Sequence, residues 1–125
     1  MDKEQALHQF WSSFTWAARD ENTVPDDAMT LYGGHYITYT VSTASLNEPV
    51  PLTADLWMKD TSWATITAKA EEIAQEISNG GKVIPFDGGY LWICRGVPFS
   101  QRLGDENDQI RRINLNIMAE FLSAD

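Results

Sequence analysis

From Lys3 to about Ala18, the apolar residues Leu7, Phe10, Trp11, Phe14, Ala17 and Ala18 recur at three- and four-residue spacing. At about 100° per residue they share one face, which predicts an amphipathic helix. In that register Trp16 points nearly opposite Trp11 and Phe14, so it is expected outside the core. The helix should end in RDENTVPDD, residues 19–27, where Pro25 and the Asp/Asn cluster break the periodicity.

HYITYTVS, residues 35–42, follows Gly33-Gly34 and is dense in β-branched and aromatic residues, the composition of a strand. LTADLWMKD alternates: Leu52, Ala54, Leu56 and Met58 face one way, Thr53, Asp55, Trp57 and Lys59 the other. It reads as a half-buried strand antiparallel to the first. Trp63, Ile66, Ala70, Ile73, Ala74 and Ile77 then form a helical stripe, with Thr61 or Ser62 as its cap. SNGG stops that helix, with Asn79 or Gly80 expected in the left-handed conformation.

KVIPF and GYLWICR flank Asp87-Gly88-Gly89, a hairpin signal, and Pro85 marks the first as a short or edge strand. From Ile110 to Phe121 the chain alternates again. Ile113, Leu115, Ile117, Ala119 and Phe121 share one face; Arg112, Asn114, Asn116, Met118 and Glu120 share the other. Val97–Gln109 is expected as a long loop between the last two strands, too long for an ordinary hairpin. The order α-β-β-α-β-β-β predicts an α+β domain: a mainly antiparallel sheet of about five strands with two helices on one face. Residues 1–125 are expected to form a single domain.

Nine basic against eighteen acidic residues give a net charge of −9, which argues against binding nucleic acid by neutralising phosphates. Cys94 is the one cysteine of the sequence, so no intrachain disulfide can form, and a reducing compartment is the simpler expectation. No apolar run approaches a membrane span, and MDKEQALHQFW lacks the layout of a secretory signal. The expected setting is intracellular, or release by lysis, with no membrane partner.

Candidate chemistry is sparse. GGK at 80–82 has Glu76 and Val83 where a phosphate loop needs glycine and a hydroxyl, and it follows a helix; it reads as a helix stop. His8, His35 and Cys94 are isolated, without the spacing of a zinc site. A Cys94–His35 nucleophile pair is formally open, but Cys94 alternates with Tyr90 and Trp92 in an aromatic strand, the setting of a packed thiol. Asp26-Asp27 and Glu71-Glu72 read as hydrated surface. No catalytic residue, cofactor or metal is expected. Five tryptophans are too many for one small core. Trp11 and Trp63 fit inward helix faces, whereas Trp16 and Trp57 lie on polar sides and become candidates for an interface.

YITY at 36–39, RGVPFSQ at 95–101 and DENDQIRRINLN at 105–116, in a run from about 35 to 121, resemble the small tail-completion or tail-terminator proteins of long-tailed bacteriophages, also called minor tail or minor capsid proteins. His35 departs from the proline that often precedes YITY in that family. The resemblance implies an α+β subunit of a homo-oligomeric ring, commonly a hexamer. Such a ring caps the head-proximal end of the tail tube, ends tail growth and offers a surface to the head connector. It implies no catalysis and no cofactor. Partners would be the chain itself, the tail tube protein and the connector, with DNA passing through unbound. The place would be the virion, after assembly in the bacterial host cytoplasm.

A head-to-tail ring needs two different surfaces on each subunit. Trp16, Trp57, Phe99, Arg102 and Leu103 are the candidate interface. In the loop, Phe99 and Leu103 would supply the buried contact and Arg102 a charged hydrogen bond at its margin. Asp26, Asp27, Asp105, Glu106 and Asp108 are candidates to line the opening, where carboxylates would let DNA slide. The alternatives are another head–tail joining component, such as a stopper or connector-associated protein, or a small-molecule binding domain with a deep polar-lined pocket.

Overall fold

In the computed structural model, which describes residues 1–124, the chain runs α1 (Lys3–Ser12), β1 (Ala18–Asp20), a 3-10 turn (Glu21–Thr23), α2 (Ala28–Leu31), β2 (His35–Tyr39), β3 (Pro49–Lys59), α3 (Ala64–Ile77), β4 (Lys82–Phe86), β5 (Gly89–Leu103) and β6 (Ile110–Ser123). The strands form one six-stranded sheet in the order β1-β2-β3-β6-β5-β4. β1 pairs parallel with β2, and every other pairing is antiparallel. The sheet is therefore mixed, with one strand and one helix more than the sequence suggests.

The alternations in β3 and β6 set the core. Leu52, Ala54 and Leu56 lie beside Ile117, Leu115 and Ile113 on one face, all buried. Onto that face pack Leu7, Phe10 and Trp11 of α1 and Ile66, Ile73 and Ile77 of α3. A fully buried side chain of this size contributes about 1.5–3 kcal/mol, so these stripes dominate the stability. α1 is capped at its start: Asp2 accepts the Gln5 N–H at 2.8 Å, and the Gln5 side chain accepts the Asp2 N–H at 2.9 Å.

Four expectations need correction. The first helix ends at Ser12, and Thr15 takes a left-handed backbone with φ +66°, so the helical register does not reach Trp16. Trp16 is only 7% exposed; its ring stacks on His35 at 4.5 Å and lies under the Lys69 ammonium. Ala18, read as helix, instead begins the parallel strand β1, a run too short to show alternation. After α3 the positive φ falls on Ser78 and Gly81, while Asn79 and Gly80 keep ordinary backbone. Finally, most of the expected Val97–Gln109 loop is strand.

β5 continues to Leu103, pairing Ser100–Leu103 with Leu115–Arg112 after an irregularity between Arg95 and Ser100 that contains the cis Val97–Pro98 peptide. Only residues 104–109 remain as a connection. β4 sits at the sheet's edge, as Pro85 suggests, and pairs only with Gly89–Ile93. Beyond Ile93, the outer side of β5 has no strand beside it among the described residues. Gly89 is required where β5 begins: a Cβ there would meet the Leu122 carbonyl oxygen at 1.9 Å.

Candidate functional site

α1 and α3 cover one face of the sheet and leave the other open. On that open face the registers line up rows of side chains across strands. One row is Tyr36, Trp57, Arg112 and Leu103, from β2, β3, β6 and β5. The Tyr36 and Trp57 rings stack at 6.0 Å, and the Arg112 guanidinium lies 4.5 Å from the Trp57 ring centre. Tyr32 extends the row towards β1, meeting Tyr36 at 5.9 Å and accepting a hydrogen bond from Arg19 Nε at 2.8 Å.

A polar chain crosses the middle of the face. Asp55 accepts from Arg112 at 2.8 Å and from the Asn114 amide at 3.0 Å. The Asn116 amide donates to Asn114 Oδ1 at 3.2 Å and to the Pro98 carbonyl at 3.1 Å. These bonds tie β3 and β6 to the irregular part of β5. Trp57 Nε1 donates to Thr38 Oγ1 at 3.0 Å, so its one polar atom is satisfied while its ring is left half-buried. Beyond the polar chain, Val83, Trp92 and Tyr90 of β4 and β5 form an exposed apolar patch. Exposed Tyr, Trp and Arg side chains of this kind are the residue types enriched at protein-contact surfaces.

The sequence-derived candidates divide. Trp57 and Leu103 meet on one row of the open face, with Leu103 opposite Arg112. Arg102 lies on the opposite face, 4.8 Å from the Trp63 ring, which Arg111 approaches from 5.3 Å. Phe99 is half-buried against the core, and Trp16 is inside it. Asp26 and Asp27 are exposed just before α2, whereas Asp105, Glu106 and Asp108 are exposed in the β5–β6 connection. There Asp105 and Asn107 accept backbone N–H groups two residues on, which orders the turn and leaves Glu106 and Asp108 facing water. Tyr36, Arg112, Asn114 and Asn116 belong to the site although sequence reasoning did not select them. The signal was present in the polar side of the 112–116 alternation, but it did not say that this side lacks a cover.

Tyr36 holds its proton above the usual phenol range, chiefly through burial, then through Asp105, with Arg112 opposing. Burial, and secondarily Glu120, likewise pushes the Cys94 thiol up, away from a reactive thiolate. Cys94 and His35 do not form a pair: they lie on opposite faces, in β5 and β2, with β3 and β6 between. His8 instead meets the Tyr39 hydroxyl at 2.7 Å. Among the described residues, no three His, Cys, Asp or Glu side chains converge on a metal position.

No protein-family model and no curated protein matches the chain. Among solved structures, a chain from the virion of a native gene transfer agent particle shares the fold. The TM-score is 0.63 over 95% of this chain and 93% of that one, at 17% identity. At that identity the likeness is one of fold. It extends nearly end to end in both chains.

Proposed function

We propose that this chain is a structural subunit of a phage-like virion, a tail terminator that forms a ring at the head-proximal end of the tail tube, ends tube growth and presents the surface to which the head connector joins. The fold shared with a virion chain over almost the full length of both carries the reading. The uncovered face, with its Tyr36–Trp57–Arg112–Leu103 row, supplies a surface suited to a partner. No catalytic step is involved. The ring is made of this chain alone, and DNA passes through it without specific binding. Asp105, Glu106 and Asp108, in a connection with no basic residue, line the opening. There they repel the phosphate backbone.

Deleting the gene from the particle that carries it tests this by electron microscopy of lysates. Filled heads beside tails of uncontrolled length are expected. Tails of normal length that stay unjoined would assign the chain to another head–tail joining role, such as a stopper. Normal, infectious particles would overturn both.

A further inference from the structure

Two separate surfaces carry charges of opposite sign that form no ion pair among the described residues. β5 holds Arg95 and Arg102 and no carboxylate, in a chain with twice as many acids as bases. Both arginines are exposed at the uncovered outer side of β5. Among the described residues, Arg95 donates only to the Asn79 side chain, and Arg102 has only its ring contact with Trp63. Between them Val97 is 97% exposed, beside a shallow cleft of about 400 Å³ that also takes in Asn79, Cys94 and Phe99.

From the end of β1 to the start of α2, residues 20–27 contain four carboxylates and no base. Glu21, Asp26 and Asp27 are exposed and make no side-chain hydrogen bond or ion pair among the described residues; Asp27 precedes α2 without capping it. Leu31, 58% exposed, follows Asp27 by four residues, so the two project from the same side of that turn of helix. α2 packs against β2 and β3, and among the described residues none of these carboxylates pairs with Arg95 or Arg102 within the chain.

We propose that copies of this chain associate head to tail, the outer side of β5 of one copy receiving the α2 surface of the next. Leu31 enters the cleft beside Val97 and Phe99, while Asp26 and Asp27 meet Arg95 and Arg102. The guanidinium fork suits a carboxylate, and an interface between two different surfaces repeats around a ring. The inference rests on the ring reading above and names its contact.

Native mass spectrometry at increasing protein concentration tests it. Wild type should form oligomers that weaken as salt is raised. R95E/R102E alone and D26R/D27R alone should each stay monomeric, because each then sets like charges against each other. Their equimolar mixture should assemble, since every contact in an alternating ring is again complementary. All four positions are exposed, so melting temperatures should match wild type, and Leu31→Ser, which changes no charge, should weaken assembly independently. Oligomers of wild-type strength from either charge variant alone, or a mixture that stays apart, would overturn this contact and leave the ring reading standing. A wild type that is monomeric at every concentration also overturns it, while the gene deletion separately decides the function.

Discussion

Arg112 holds two positions at once: its guanidinium lies 4.5 Å over Trp57 and donates to Asp55 at 2.8 Å. Replacing it leaves the Asp55 carboxylate, 16% exposed, with only Asn114 as a side-chain donor. Arg112→Met should therefore lower stability by about 1–3 kcal/mol in denaturant melts. Adding Asp55→Leu should recover part of the loss, because no half-buried charge is then stranded. A double variant less stable than Arg112→Met would contradict this account. Cys94 offers a second measurement. Burial first and Glu120 second hold its proton, so the pH midpoint of iodoacetamide alkylation should lie above that of a free cysteine. Glu120→Gln should bring it down only in part, since burial persists.

At the scale of elements, the end of α3 carries strain. Ser78 has φ +60° and ψ −179°, a region open in practice only to glycine. Ser78→Gly relieves that strain but adds freedom to the unfolded chain, so a net gain of about 1 kcal/mol is expected from thermal melts. Any loss of stability would show that the helix stop needs the serine. β5 makes the second case. A segment that reads as loop, with Phe99, Arg102 and Leu103 in it, becomes strand because β6 is long enough to pair with it on the far side of an irregularity. Phe99 consequently packs against the core, and Phe99→Ser should cost about 1–2 kcal/mol. Unchanged melting of that variant would return the segment to the status of a loop.

For the whole molecule, the open face separates folding from assembly. Leu103, half-buried on that face, belongs to no core layer, so Leu103→Ser should cost no more than about 1 kcal/mol. In particles it should nevertheless impair joining or tail-length control, scored by electron microscopy and infectious titre. A folded variant giving normal particles would remove the Tyr36–Trp57–Arg112–Leu103 row from the assembly surface. This separation follows from the layering: α1 and α3 pack on one face of the sheet, and the other is free to serve a partner.

The sequence by itself determined the elements whose periodicity is long and regular: β3, α3, β6 and the hairpin at Asp87-Gly88, together with the faces they bury. It also showed that Trp57 and the Asn114–Asn116 side of the last strand were misplaced for a core. Period and turn chemistry act over neighbouring residues, so they can be read locally. Tertiary structure alone decided the rest. Trp16 is buried because Thr15 turns the chain out of the helix, and the ring then finds His35 and Lys69 from distant segments. The three residues of β1 are a strand only because β2 lies alongside. Arg102 and Leu103, adjacent in sequence, go to opposite faces once β6 pairs with them. Which face of a strand is covered, and which edge is left without a neighbour, depends on contacts between segments far apart in the chain, and no local pattern encodes them.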